Sequence, residues 1–172
     1  MDKNIWVVDD DESIRWVLEK GLADSGMDVQ TFDSANKVIK KLETENPQLI
    51  LTDIRMPGPS GIDLLDKVKE LRPDVPVIVM TAHSDLDSAV ESYEHGAWEY
   101  LPKPFDIEEA VSMIRRATTI DESATEETPE TQAEVIGEAP AMQEVFRAIG
   151  KLSNSNSTVL LIGESGTGKE LV

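Results

Sequence analysis

The chain has 172 residues, no cysteine and a formal net charge of −18. The lack of cysteine excludes disulfides and thiolate metal sites, and so negative a chain has no basic stripe with which to bind nucleic acid through its own surface. No apolar run approaches the roughly 20 residues of a membrane-spanning helix, and no signal segment opens the chain. We therefore expect a cytoplasmic protein with no membrane partner.

Alternating strands and helices are predicted from Asn4 to about residue 117. The apolar runs IWVV (5–8), LILT (49–52) and VIVM (77–80) predict buried strands, and DVQTF (28–32) and AWEYL (97–101) are weaker candidates. Apolar residues between them recur at helical spacing: Ile14, Val17, Leu18 and Leu22, then Val38, Ile39 and Leu42, then Ile62, Leu65, Val68 and Leu71, then Val90 and Tyr93, and finally Ala110, Val111 and Ile114. This pattern predicts an α/β fold with a doubly wound, five-stranded parallel sheet covered on both faces.

The remainder of the chain has a different composition. Residues 119–134 are acidic and polar with no basic residue, which is typical of a linker that is flexible or partly helical. Beyond them, residues 141–152 place apolar side chains on one helical face, and TVLLI (158–162) predicts a strand. We therefore divide the chain into a domain at 1–118, an acidic linker at 119–134 and a further fragment at 135–172.

Polar residues follow four of the predicted strands. Asp9 and Asp10 end the first strand, Asp53 ends the third, and Thr81 and Lys103 follow the fourth and fifth. The carboxyl ends of parallel strands share one edge, and the first and third strands are expected to be neighbours at the switch point of a doubly wound sheet. The sequence therefore predicts that the three carboxylates converge, with Thr81 and Lys103 across the mouth.

Such a cluster calls for a cation. Each close pair of carboxylates costs about 4 kcal/mol of repulsion at an effective dielectric constant of 20. Oxygen ligands without His or Cys favour Mg²⁺, which keeps water and phosphate oxygens in its shell, so a phosphoryl donor is the expected substrate. One carboxylate could then form an aspartyl phosphate, with Lys103 countering the new charge and Thr81 donating a hydrogen bond.

The segments VVDDD, LTDIRMPG, MTAHS and YLPKPF, in this order and spacing, resemble the receiver domain of two-component response regulators. The resemblance covers residues 4 to about 117 and implies a CheY-like fold with strand order 2-1-3-4-5. It implies Asp53 as the phospho-acceptor, and Mg²⁺ held directly by Asp10 and Asp53, through water by Asp9, and by the backbone carbonyl of Arg55. It also implies a sensor histidine kinase as the partner.

The same resemblance implies further roles beside the phospho-acceptor. Thr81 and Ala82 would bind the phosphoryl group, with Thr81 as the switch hydroxyl, and Lys103 would be its cation, followed by a cis peptide bond to Pro104. Tyr100 would be the switch aromatic. From the residues alone, Thr81 could instead cap the next helix and Tyr100 could be a core aromatic, whereas Asp11 is expected in the cap region of the first helix.

The motif GESGTGKE follows the predicted strand at 158–162 and matches a phosphate-binding loop. Its motif residues are Gly163, Gly166, Gly168, Lys169 and Glu170, the last in place of the usual Ser or Thr. It resembles the start of the AAA+ ATPase domain of sigma-54 activators, in which Glu is the usual variant. The whole chain resembles the nitrogen-regulatory type of these response regulators.

Since only two residues follow Glu170, we expect this AAA+ fragment to be truncated and without ATPase activity. ATP, sigma-54 RNA polymerase and DNA would be partners only of a full-length parent with the missing domains. The leading hypothesis is thus a regulatory switch rather than an enzyme. A homodimer, a regulatory part with an unphosphorylatable pocket, and a phosphatase of haloacid-dehalogenase type remain open, although DDDES lacks the D-x-D-x-T/V pattern of the last.

Overall fold

The structure is a computed structural model that describes residues 4–82, 86–119, 144–145, 147–148 and 151. The predicted linker beyond Thr119 and the predicted phosphate-binding loop lie outside these residues. The elements are β1 (Asn4–Val8), α1 (Glu12–Asp24), β2 (Asp28–Phe32), α2 (Ala35–Leu42), β3 (Leu49–Asp53), α3 (Gly61–Leu71), β4 (Val77–Thr81), α4 (Leu86–Glu94), β5 (Glu99–Pro102) and α5 (Ile107–Thr118).

The five strands form one parallel sheet in the order β2-β1-β3-β4-β5, which confirms the predicted fold and strand order. Successive side chains of a strand point to opposite faces. In β1, Ile5 and Val7 accordingly pack with α1 and α5, whereas Trp6 and Val8 pack with α2 and α3. The helices therefore cover both faces of the sheet and leave the carboxyl ends of the strands for a site.

The helical faces follow the predicted periodicity with two corrections. Val17 in α1 is 52% exposed and Leu71 at the end of α3 is 37% exposed, although both were predicted on apolar faces. In α1 the line through Leu18 and Leu22 faces the sheet, which turns Val17 outward together with Trp16, 60% exposed. Trp16 instead contacts Lys20, whose ammonium lies 5.1 Å from the ring centroid.

The last strand begins later than predicted. β5 runs from Glu99 to Pro102, whereas the apolar pattern predicted residues 97–101. Gly96, three residues before Glu99, adopts a positive φ of 89°, and Trp98 donates its amide to the carbonyl of Val77 ahead of the regular pairing. In the part of the chain that the structure describes, no helix combines the length and apolarity needed to cross a membrane.

Capping residues start the two helices that follow the acidic strand ends. Asp11 is the N-cap of α1 and accepts hydrogen bonds from the amides of Ser13 and Ile14, as predicted. Ser60 caps α3 and forms a reciprocal capping box with Asp63. Each cap satisfies amides that the first helical turn leaves free, and so sets the direction of the loop that carries the site.

Gly61 allows the start of α3 to approach the end of β3. A Cβ atom built on Gly61 would lie 2.1 Å from the carbonyl oxygen of Asp53, which is backbone and cannot move aside cheaply. The Gly61 amide also donates to the carbonyl of Ile54 at 2.8 Å. A side chain at this position would therefore displace the loop behind Asp53.

We expect Gly61→Ala to lower the free energy of unfolding by about 2–3 kcal/mol, because the clash is with backbone. Urea denaturation followed by circular dichroism measures this loss. Gly21→Ala in α1 is the comparison variant: its Cβ would lie 2.3 Å from Cγ1 of the Ile107 side chain rather than against backbone, and about 1 kcal/mol of helix propensity offsets part of the cost, so we expect a smaller loss than in Gly61→Ala. A Gly61→Ala variant as stable as the unchanged chain would contradict the backbone clash.

Candidate functional site

The carboxyl ends of the strands bring together residues that are distant in sequence. Asp9 follows β1, Asp53 ends β3, Thr81 ends β4 and Lys103 follows β5. The strand register aligns Asp53 with Met80 and Thr81 with Pro102, so these ends lie at one edge of the sheet. The parallel topology therefore positions one polar group from each of four strands around a common point.

Lys103 lies between two carboxylates. Its ammonium donates to Oδ2 of Asp9 and to Oδ1 of Asp53, at 2.7 Å in both cases. The side chain of Asp9 is 1% exposed, that of Asp53 9% and that of Lys103 19%. Buried carboxylates are tolerated when they are paired with a cation and hydrogen-bonded. The Lys103 ammonium supplies both the charge and a hydrogen bond to each of the two aspartates.

The other carboxylate oxygens are held by backbone amides. Oδ1 of Asp9 accepts from the amide of Asp11 at 2.9 Å, and Oδ2 of Asp53 accepts from the amide of Arg55 at 2.8 Å. Each aspartate is thus held by one amide on its own loop and by the ammonium of Lys103. This arrangement fixes the orientation of both side chains before any ligand binds.

The electrostatics of the pocket favour a further cation. Burial raises the pKa of Asp9 above its ordinary value, and hydrogen bonds from Lys103 and the Asp11 amide oppose that rise. Burial alone would lower the pKa of Lys103, but its hydrogen bonds to Asp53 and Asp9 and their charges raise it. One ammonium cannot neutralise two ionised carboxylates, so with both ionised the group keeps a net negative charge.

The predicted convergence of three carboxylates is only partly present. Asp9 and Asp53 meet at Lys103, whereas Asp10 is exposed on the loop that follows β1. Among the described residues, no three or more His, Cys, Asp or Glu side chains are grouped so that they could hold a metal ion. The oxygen donor set nevertheless fits Mg²⁺, which is usually bound by one or two carboxylates and completes its shell with water.

The other predicted site residues occupy different surroundings. Thr81 is buried and its carbonyl accepts from the Lys103 amide at 2.7 Å, whereas Ala82 is exposed. Tyr100 is fully buried beside Ala89 and Tyr93. Arg55 is exposed, and the peptide bond from Lys103 to Pro104 is cis. The predicted nucleotide residues lie outside the described part: Gly163, Gly166, Gly168, Lys169 and Glu170.

Arg15 has no role in the predicted site, yet it contacts the acidic loop. Its Nη1 atom donates to the carbonyl of Asp9 at 2.7 Å and to that of Asp10 at 3.0 Å. A guanidinium in the first turn of α1 therefore holds the backbone that carries both carboxylates. The available signal was an arginine five residues after Asp10, in the first turn of the next helix, from which a long side chain can reach back to the preceding loop.

Comparisons with known proteins agree with this geometry. Residues 5–115 match the family described as the response regulator receiver domain, and residues 135–172 match the sigma-54 interaction domain. The DNA-binding transcriptional regulator NtrC of Klebsiella pneumoniae is 54% identical over 97% of the chain. The chain spans only 36% of the length of that relative, or about a third.

Solved receiver domains have the same fold. The receiver domain of nitrogen regulatory protein C in its apo form is 53% identical, with a TM-score of 0.63 over 69% of this chain and 97% of that one. The beryllofluoride-activated NtrC4 receiver domain dimer is 36% identical, with a TM-score of 0.65 over 67% of this chain and 96% of that one. With the family match covering residues 5–115, the chain belongs to the response regulator receiver family.

Proposed function

We propose that the chain accepts a phosphoryl group on Asp53 from a sensor histidine kinase and acts as a phosphorylation-dependent switch. The observation that carries this proposal is the Asp53 carboxylate, which ends β3 with Oδ1 2.7 Å from the ammonium of Lys103. Of the two buried aspartates, Asp53 has the more exposed side chain, 9% against 1% for Asp9. Asp53 is therefore the more accessible nucleophile.

The residues around Asp53 would divide the work. Lys103 is already within hydrogen-bond distance of the attacking carboxylate, so it can neutralise charge on the transferred group. Thr81 ends the neighbouring strand at the same edge and would donate its hydroxyl to the new phosphoryl oxygens, with Ala82 beside it. When Thr81 moves toward the phosphoryl group, the buried Tyr100 would change its position as the switch aromatic.

We propose Mg²⁺ as the cofactor, held by Asp10 and Asp53, by Asp9 through water and by the carbonyl of Arg55. Bound Mg²⁺ would supply positive charge for the carboxylates and the phosphoryl oxygens. Arg15 supports this assignment, because it holds the carbonyls of Asp9 and Asp10 and so fixes the loop from which two of the ligands come. The exposed position of Asp10 leaves its carboxylate free to turn toward the ion.

For the longer protein we propose control of sigma-54-dependent transcription in nitrogen regulation, in the cytoplasm. The support is the match of residues 135–172 to the sigma-54 interaction domain and the identity to NtrC of Klebsiella pneumoniae. A homodimer is proposed by analogy with the NtrC4 receiver dimer. Contacts with sigma-54 RNA polymerase and DNA would belong to other domains of the protein.

The haloacid-dehalogenase alternative is not supported. The family match is to a receiver domain. The second aspartate that such a phosphatase would need near the first strand corresponds to Asp11, whose carboxylate caps α1 through the amides of Ser13 and Ile14. This residue therefore starts a helix, and the nucleophile that we propose, Asp53, lies on another strand.

The first test is binding of beryllofluoride, a mimic of the phosphoryl group, in the presence of Mg²⁺. We expect the unchanged chain to bind it and Asp53→Asn to lose binding, because the amide lacks the anionic oxygen that would coordinate beryllium. Fluorine NMR measures the bound species. Asp28→Asn, an exposed change at the other end of the sheet, is the control and should bind normally. An unchanged chain that fails to bind would refute the proposal.

A second test separates the neighbouring aspartates. We expect Asp10→Asn to weaken Mg²⁺ binding about tenfold or more, whereas Asp11→Asn should leave it nearly unchanged, because asparagine caps a helix as well as aspartate does. Titration with Mg²⁺ followed by tryptophan fluorescence gives both affinities. Equal losses in the two variants would show that the whole acidic run, rather than Asp10, attracts the ion.

A further inference from the structure

A helical segment that follows the predicted linker lies against the receiver domain. Its described residues are Glu144, Val145, Arg147, Ala148 and Lys151, and we call it the return helix. Sequence periodicity predicts an apolar face for residues 141–152; among the residues of this segment that the structure describes, two basic side chains contact the receiver domain. Arg147 and Lys151 are four residues apart, so they project from the same face of the helix.

Arg147 joins a strand and a helix of the receiver domain. Its Nε atom donates to the backbone carbonyl of Tyr100 at 3.1 Å, and its Nη2 atom donates to Oε1 of Glu109 at 3.0 Å. β5 is the edge strand of the sheet, and edge strands leave backbone groups that need partners. The guanidinium therefore satisfies an edge carbonyl and a carboxylate of α5 at the same time.

Lys151 supplies the cation for a buried carboxylate. Glu99 is 3% exposed and accepts hydrogen bonds from the hydroxyl of Tyr93, from the amide of Tyr100 at 3.3 Å and from Lys151 at 2.9 Å. The Lys151 ammonium also lies 5.9 Å from the centroid of the Tyr93 ring. A carboxylate this buried is costly unless a charge pairs with it. Glu99 is therefore a binding position for a basic side chain.

We propose that the surface formed by Tyr93, Glu99, Tyr100 and Glu109 is a docking site for the return helix of the same chain. Two carboxylates of the surface face two cations spaced one helical turn apart, and the charges and the spacing match. No other Lys or Arg occurs between residues 117 and 146. The first two basic residues beyond the acidic stretch are thus the two that dock.

The length of the intervening chain favours docking within one molecule. Residues 119–143 can span on the order of 80 Å when extended, far more than the surface of a domain of this size requires. A connection of this length gives a local concentration of about millimolar, which exceeds the concentration of a second copy in dilute solution. The proposal rests on these contacts alone and not on the proposed phosphorylation of Asp53.

Limited trypsin digestion of the full chain tests the docking, because Arg147 is the first cleavage site after Arg116. Proteolysis follows the population of the open form when docking is fast. Glu109→Gln should accelerate cleavage after Arg147 by about 1.5- to 5-fold, the range for one partly exposed ion pair, and Glu99→Gln should accelerate cleavage after Lys151. Mass spectrometry of the fragments gives each rate.

Glu108→Gln is the matched control, since Glu108 is an exposed neighbour on the same helix. Cleavage that is equally fast in Glu108→Gln and Glu109→Gln would overturn the proposal. The exchange Glu109→Arg with Arg147→Glu should restore protection at Lys151, which a simple loss of folding would not do. Protection should also be unchanged on dilution, and protection that falls on dilution would assign the site to a second copy instead.

Discussion

The pocket depends on one ammonium group placed between two buried carboxylates. Asp9 and Asp53 end neighbouring parallel strands, and Lys103 reaches both at 2.7 Å. Without the ammonium, two like charges would face each other in a region from which water is largely excluded, which is costly. The parallel sheet brings the two carboxylates together because its strand ends share one edge, and Lys103 on the loop after β5 supplies the compensating positive charge. That loop is therefore tied to the site by electrostatics as well as by chain connectivity.

Other features of the fold serve to hold that arrangement. Asp11 and Ser60 start the two helices that follow the acidic strand ends, and Gly61 lets α3 approach the backbone of Asp53. Arg15 holds the loop after β1 through two carbonyls. The carboxylates are positioned by backbone, and the backbone is positioned by caps and one guanidinium, so few of the supporting residues need to touch a ligand themselves.

Much of this could be predicted from the sequence. The five strands and the Asp11 cap follow from apolar runs and cap chemistry, whereas the strand order was implied by the resemblance to receiver domains. Periodicity alone does not fix how α1 is rotated about its axis, so Val17 was wrongly predicted to be buried. The weak apolar pattern of the last strand led to a predicted start at residue 97, whereas β5 begins at Glu99. Contacts such as Lys151 with Glu99 join residues 52 apart, and only the tertiary structure shows them.

Arg147 bridges the two flanks of the loop that carries Lys103. It binds Tyr100, three residues before Lys103, and Glu109, six residues after it. A ligand that moves Lys103 would therefore move the segment from Tyr100 to Glu109, which Arg147 holds at both ends. By thermodynamic linkage, if docking of the return helix changes the affinity of the pocket for a ligand, the ligand changes the docking equilibrium by the same factor. Ligand binding at the receiver pocket and docking of the return helix would then share one coupling free energy.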